Sequence, residues 1–188
     1  GVEIMIAPSF PCLAPVANAV AGSPVGIGTQ NLHWEAEGAF TGEVSSGMVK
    51  SAGATYAILG HSERRQFFGE TDNTVRLKIE TALKADLIPV FCIGETESER
   101  ENGKTFSVLD NQVRLGLEGL APEILTPLVI AYEPVWAIGT GKTATKEQAQ
   151  EVHAFIRGII EKSFSPSLAK ALRILYGGSV KPANIADL

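Results

Sequence analysis

Six short apolar runs recur along the chain, at residues 2–7, 25–30, 56–60, 88–93, 128–132 and 174–177. Most are rich in β-branched residues, and they do not alternate with polar ones. Strands covered on both faces, as in a parallel sheet, read this way. Between them the apolar period changes to that of a helix. Val75, Ile79, Ala82 and Leu83 fall on one helical face, as do Val152, Phe155, Ile156 and Ile159. Strands alternating with helices at this spacing predict βαβ units. Thr145-Lys146-Glu147-Gln148 has the spacing of a capping box, so a helix is expected to start there. Asp72-Asn73 and Asn102-Gly103-Lys104 read as cap or turn signals before two others. No repeat, linker or composition break divides residues 1–188, which predicts one domain.

The polar residues gather where the apolar runs end. These ends are Gln30-Asn31, Gly60-His61-Ser62-Glu63, Gly94-Glu95, Glu133 and Tyr176-Gly177-Gly178-Ser179. A parallel α/β barrel places all carboxyl strand ends on one face, where active sites sit. A doubly wound sheet would gather only those near its switch point. So many polar ends favour the barrel.

Glu133 closes one run and is followed at once by Pro134, which fixes one backbone angle and restricts the residue before it. Gly139 and Gly141 then free the backbone before the helix start at Thr145. The unit reads as strand, carboxylate, hinged lid, helix. Taken alone, the acid reads equally well as a solvated loop residue. A helix beginning at His61 would aim its N-terminal dipole near the imidazole and favour the neutral ring. Considered singly, its structural and functional readings stand level, whereas His33 and His153 read as structural or exposed. Tyr176-Gly177-Gly178-Ser179-Val180 opens onto a helix predicted at Lys181-Pro182-Ala183-Asn184. Backbone N–H groups there suit a phosphate, and Gly139 adds another. Most Gly-Gly turns are only tight turns. Arg64 and Arg65 read as ion-pair partners, and Lys142 as a hinge residue.

Composition narrows the partners. Hydrophobic residues make up 45% and charged residues 20%, ordinary for a globular protein. A net charge of -5 weighs against nucleic acid. Cys12 and Cys92 show no metal spacing and read as buried reduced thiols of a cytosolic protein. No apolar run approaches the ~20 residues of a membrane span, and no secretory signal is visible.

Three segments together resemble the triosephosphate isomerases. They are Ala57-Ile58-Leu59-Gly60-His61-Ser62-Glu63-Arg64-Arg65, the stretch from Ala131-Tyr132-Glu133-Pro134-Val135-Trp136 to Lys142, and Tyr176-Gly177-Gly178-Ser179-Val180. Gly38-Ala39-Phe40-Thr41-Gly42-Glu43 resembles the family's interface loop. The resemblance implies a TIM (β/α)8 barrel that interconverts dihydroxyacetone phosphate and glyceraldehyde 3-phosphate in glycolysis and gluconeogenesis. It implies Glu133 as the base, His61 as the electrophile and Glu63 in the supporting polar shell. The family is itself the standing example of a carboxylate base beside a neutral histidine. Gly139 and Ser179 would bind the phosphate, under a lid over residues 134–144. It implies no metal and no cofactor, a cytoplasmic location, and a homodimer through the loop around Thr41. The chain departs from the family at both ends. It opens at the family's second strand and stops just after the seventh, so the Asn and Lys of the first strand and the glycine pair of the eighth are missing. Two unpaired sheet edges are therefore expected. A catalytically inactive fragment of that fold is the alternative. An aldolase or another phosphate-binding barrel enzyme would need a Schiff-base lysine or a metal site, and neither is apparent.

Overall fold

The computed structural model describes residues 1–186. All six apolar runs are strands: β1 (Ile4–Ile6), β2 (Val25–Thr29), β3 (Tyr56–Leu59), β4 (Ile88–Ile93), β5 (Val129–Tyr132) and β6 (Arg173–Tyr176). They form one sheet in chain order, each parallel to the next. A doubly wound sheet reverses its order partway; this one never does, and that progression belongs to a barrel.

The sheet is also curled. Glu3, entering β1, is bonded both to the Tyr56 hydroxyl and to the Arg173 guanidinium at the start of β6. Six flat strands would set the outer two about 24 Å apart, at ~4.8 Å per step. One ion pair spanning first and last strands requires the sheet to bend round. Alternate residues then pack on opposite faces. Tyr56, Val90, Cys92, Val129 and Ala131 meet on the inner face, with Met5, Ile58 and Ile88 against them. Their neighbours Ala57, Leu59, Phe91, Ile93, Ile130 and Tyr132 join the larger core beneath the helices. Both faces are covered, which is why the strands read as unbroken apolar runs. The outer strands are the exception. Leu175 is in register with inward-facing Ala131 yet is 47% exposed. Ile4 and Ile6, on the opposite face from Met5, are exposed as well. Among the described residues, β1 and β6 each pair on one side only.

The helices are α1 (Leu13–Ala19), α2 (Ser46–Ser51), α3 (Ser62–Phe68), α4 (Asp72–Lys84), α5 (Glu97–Glu101), α6 (Thr105–Gly116), α7 (Lys146–Ser163) and α8 (Pro166–Ala171). The capping box predicted at Thr145 forms in full with Gln148. Val75, Ile79 and Ala82 of α4 are buried, and so are Val152, Ile156 and Ile159 of α7. Three expectations are corrected. The cap of α4 is Thr71, whose hydroxyl accepts the N–H of Thr74; Asp72 is already helical. Cys12 is exposed, on the short turn leading into α1. Lys181 to Asn184 make a single turn among the described residues, with the Asn184 side chain accepting the Lys181 N–H.

Candidate active site

Strand β3 ends at Leu59, and after Gly60 comes His61, the N-cap of α3. Its Nδ1 accepts the backbone N–H of Glu63 at 3.3 Å. That bond uses the Nδ1 lone pair, so a neutral ring carries its proton on Nε2. Nε2 lies 3.3 Å from Oε1 of Glu133. The other carboxylate oxygen, Oε2, accepts the Ser62 N–H at 2.9 Å. Residues 72 apart along the chain thus meet at the carboxyl ends of β3 and β5. The Glu133 side chain is only 6% exposed. A carboxylate so buried is costly unless bonded, and the first amides of α3 with their positive dipole end supply part of that compensation.

The backbone around Glu133 is held equally closely. Its N–H donates to Ile93 O at 2.7 Å, and Gly177 N–H donates to Tyr132 O at 2.7 Å. A Cβ on Gly94 would lie 1.7 Å from the Glu133 carbonyl oxygen, and one on Gly177 would lie 2.9 Å from Glu133 Cγ. Both glycines are required by close approach to this one residue. Cys92 lies on the inner face just below. Burial pushes its thiol well above the usual range, and the Glu133 carboxylate adds to the effect. Cys92 therefore stays a protonated thiol.

Past Glu133 the chain makes a short 3-10 turn, Val135–Ala137, and then the predicted lid. Gly139 and Gly141 are both left-handed, at φ +69° and +83°. Two bonds tie the lid's ends to β6 and the loop after it: Ser179 Oγ donates to Ala137 O at 2.8 Å, and Ala144 N–H donates to the Tyr176 hydroxyl at 3.2 Å. The Ser179 N–H is also directed at Ala137 O, at 3.3 Å. Gly139 itself is exposed. Lys142, read as a hinge residue, pairs with Glu97 of α5.

Glu95 is the residue whose role sequence reasoning missed. It is fully buried at the end of β4. It accepts from the Tyr132 hydroxyl at 3.1 Å, from Trp136 Nε1 at 2.9 Å and from Arg100 at 3.0 Å. The Arg100 guanidinium also lies over the Trp136 ring. Its position at a polar strand end was a signal; its partners, mostly distant in sequence, were not visible. Ser62 was missed because it acts through its backbone. Glu63 lies apart from the pair: its carboxylate is 67% exposed and 3.8 Å from His61 Nδ1.

The remaining charges are structural. Arg65 pairs with Asp72 and donates to Gly60 O, while Arg64 and Lys78 share Glu70. Lys78 also donates to Asn31 at 2.7 Å, tying the end of β2 to α4. His33 is stacked on Trp34, and His153 meets the edge of Tyr132. Among the described residues no three His, Cys, Asp or Glu side chains converge as a metal would need. No described helix is long and apolar enough to cross a membrane.

A run of parallel barrel strands with a carboxylate and an imidazole in contact at its carboxyl rim places the molecule among the α/β-barrel enzymes of acid–base chemistry. Comparison with known proteins narrows this. The family model described as triosephosphate isomerase matches residues 1–188. A triosephosphate isomerase of Citrifermentans bemidjiense is 56% identical over 187 residues, covering 100% of this chain and 74% of that protein. Those of Endomicrobium trichonymphae and Geobacter metallireducens are 56% and 57% identical, with the same coverage. The chain belongs to the triosephosphate isomerase family.

Proposed function

We propose that the chain interconverts dihydroxyacetone phosphate and glyceraldehyde 3-phosphate, with Glu133 as the base and His61 as the electrophile. Family membership gives the reaction; the 3.3 Å approach of His61 Nε2 to Glu133 Oε1 carries the assignment of roles. The Glu133 carboxylate takes a proton from the carbon beside the carbonyl. The electron pair moves onto the carbonyl oxygen, and the Nε2–H of His61 donates to that oxygen as charge develops. Returning the proton to the neighbouring carbon, while His61 Nε2 gives its proton to the first oxygen and takes up the hydroxyl proton of the second, completes the isomerisation. Acid–base groups alone suffice for this.

Gly139 and Ser179 bind the phosphate through backbone N–H groups in this proposal. The Ser179 amide is directed at Ala137 O, so substrate must take it over as the lid moves. The lid keeps water from the enediolate, which otherwise expels its phosphate. Glu63 belongs to the polar shell that supports His61, through the backbone N–H it donates to Nδ1. Phe40, 42% exposed beside Thr41, fits a loop that docks on a second copy to form a homodimer. The cytoplasm suits an enzyme of glycolysis.

The test is an isomerase assay in D2O on the intact enzyme and, beside it, on the 188-residue chain. Interconversion with deuterium incorporated at the carbon next to the carbonyl is expected of the intact enzyme. Interconversion without any exchange points to direct hydride transfer and overturns the proton-transfer roles. An inactive 188-residue chain beside an active intact enzyme selects the inactive-fragment reading for this piece alone.

A further inference from the structure

We infer that Gln112, on α6, is a positioning residue for the isomerisation. It takes the place beside Gly94 that β3, having ended, no longer fills, and so fixes the strand end that carries Glu133.

Gln112 reaches the edge of β4 that faces β3. Strand β3 pairs with β4 only as far as Leu59 opposite Phe91. On the other edge, β4 and β5 go on pairing beyond their assigned ends. Glu133 N–H donates to Ile93 O at 2.7 Å, and Val135 N–H donates to Glu95 O at 3.1 Å. Alternation in a strand therefore turns the peptide groups of Cys92 and Gly94 the other way, toward a neighbour that has ended. Arg65 reaches the Cys92 carbonyl at 3.4 Å. Gln112 satisfies both groups of Gly94: its Oε1 accepts the Gly94 N–H at 2.8 Å, and its Nε2 donates to Gly94 O at 3.1 Å. A side-chain amide that accepts and donates to one residue reproduces what a neighbouring strand would offer.

The site depends on where Gly94 sits. A Cβ there would fall 1.7 Å from the Glu133 carbonyl oxygen, so the two backbones are in direct contact. Gly94 also joins Ile93, which holds the Glu133 amide, to Glu95, which holds Trp136 of the lid. Movement of Gly94 is passed to the base on one side and to the lid on the other. Catalysis by a positioned base is sensitive to displacements well below an ångström, and misplacement by ~1 Å can cost a hundredfold. Gln112 is therefore placed to govern rate without touching substrate. It lines a cavity of about 550 Å³ together with Arg65, Glu97, Glu99 and Glu133, the charged groups that surround it.

The inference rests on Glu133 being the base, and the experiment separates the two claims. Gln112→Met in the intact enzyme keeps the length of the side chain and removes both bonds. We expect kcat per folded active site to fall by about tenfold or more, with KM changed less than about twofold. Gln112→Glu supplies the second arm. An ionised carboxylate can accept from Gly94 N–H but cannot donate to Gly94 O; a protonated one can do both. Its kcat, divided by that of the unaltered enzyme at the same pH, should rise as pH is lowered from about 7 to about 4, through the ordinary carboxyl value of about 4.3. A role in stability alone would lower the melting temperature and leave that ratio flat. If Glu133→Gln is inactive while both Gln112 variants stay within about twofold of the unaltered enzyme at every pH, the positioning role is overturned and the base assignment stands. If Glu133→Gln retains full turnover, the base assignment fails first. Should Gln112→Met not fold, the pH ratio of Gln112→Glu decides alone.

Discussion

Two buried carboxylates sit at neighbouring strand ends and are used in opposite ways. Glu95, after β4, has its oxygens occupied by a phenol, an indole and a guanidinium. Glu133, after β5, has one backbone amide on one oxygen and an imidazole at 3.3 Å from the other. A carboxylate that holds three side-chain donors at once is an anchor, since moving its charge breaks several bonds together. A carboxylate left partly open, beside a ring that can donate, is able to accept a proton from a third molecule. Strand-end location does not separate the two, because both were noted there. The distinction lies in how many donors the surroundings supply.

Exchanging each acid for its amide should separate them. Glu133→Gln in the intact enzyme removes the base but keeps the volume, and kcat should fall by about three orders of magnitude. Affinity for an unreactive substrate analogue should change far less. Glu95→Gln keeps acceptors for the phenol and indole but loses the charge facing Arg100. Breaking a buried pair from one side costs about 3 kcal/mol, so the loss should appear mainly in the melting temperature, with kcat reduced by about tenfold or less. Equal losses of kcat in the two variants would erase the contrast between anchor and base.

The lid joins the two ends, for Trp136 hangs from Glu95 while the chain it begins springs from Glu133. Shortening the lid should therefore spare the proton transfer in part and expose its intermediate. Deleting residues 138–141 is expected to increase phosphate elimination relative to isomerisation, because water then reaches the enediolate. Inorganic phosphate released per turnover is the measurement. An unchanged ratio of the two products would mean that the loop does not exclude water.

Much of this geometry could be read from the chain, and what could not be read has physical causes. The six strands were legible because residues such as Phe91 and Cys92 both end in apolar surroundings, one under the helices and one inside the curl. The capping box at Thr145 was legible because it is local. His61 and Glu133 stood out through the segments around them, although their contact joins distant parts of the chain. Glu95 shows where such reading stops. Its donors come from β5, the lid and α5, and no local pattern links Tyr132, Trp136 and Arg100. Cys12 was misplaced because an apolar neighbourhood in sequence is not a buried one in space. The curl shows in the pairing of Glu3 with Arg173, which nothing in the sequence links.

The smallest effect tests whether the Glu95 end is purely architectural. His153 packs edge-on against Tyr132, whose hydroxyl reaches Glu95, and its Nε2 is buried with no bonding partner among the described residues. Burial holds its pKa below the usual 6.5, and the nearby Arg157 pushes the same way. The folded chain therefore binds fewer protons than the unfolded one in the range just under that value. Stability contributed here is complete above about pH 6.5 and is lost as pH falls toward the lowered value. Glu70 acts in a different range. Although burial alone would raise it, Lys78 and Arg64 hold it below 4.5, so its contribution is lost only as pH falls further. His153→Leu should consequently flatten the decline in melting temperature between about pH 6.5 and 5 and leave kcat at neutral pH within about twofold. If the slope persists, His153 is not its source. If kcat falls with it, the packing behind Tyr132 reaches the reaction after all, and the division between an anchoring strand end and a reacting one is drawn in the wrong place.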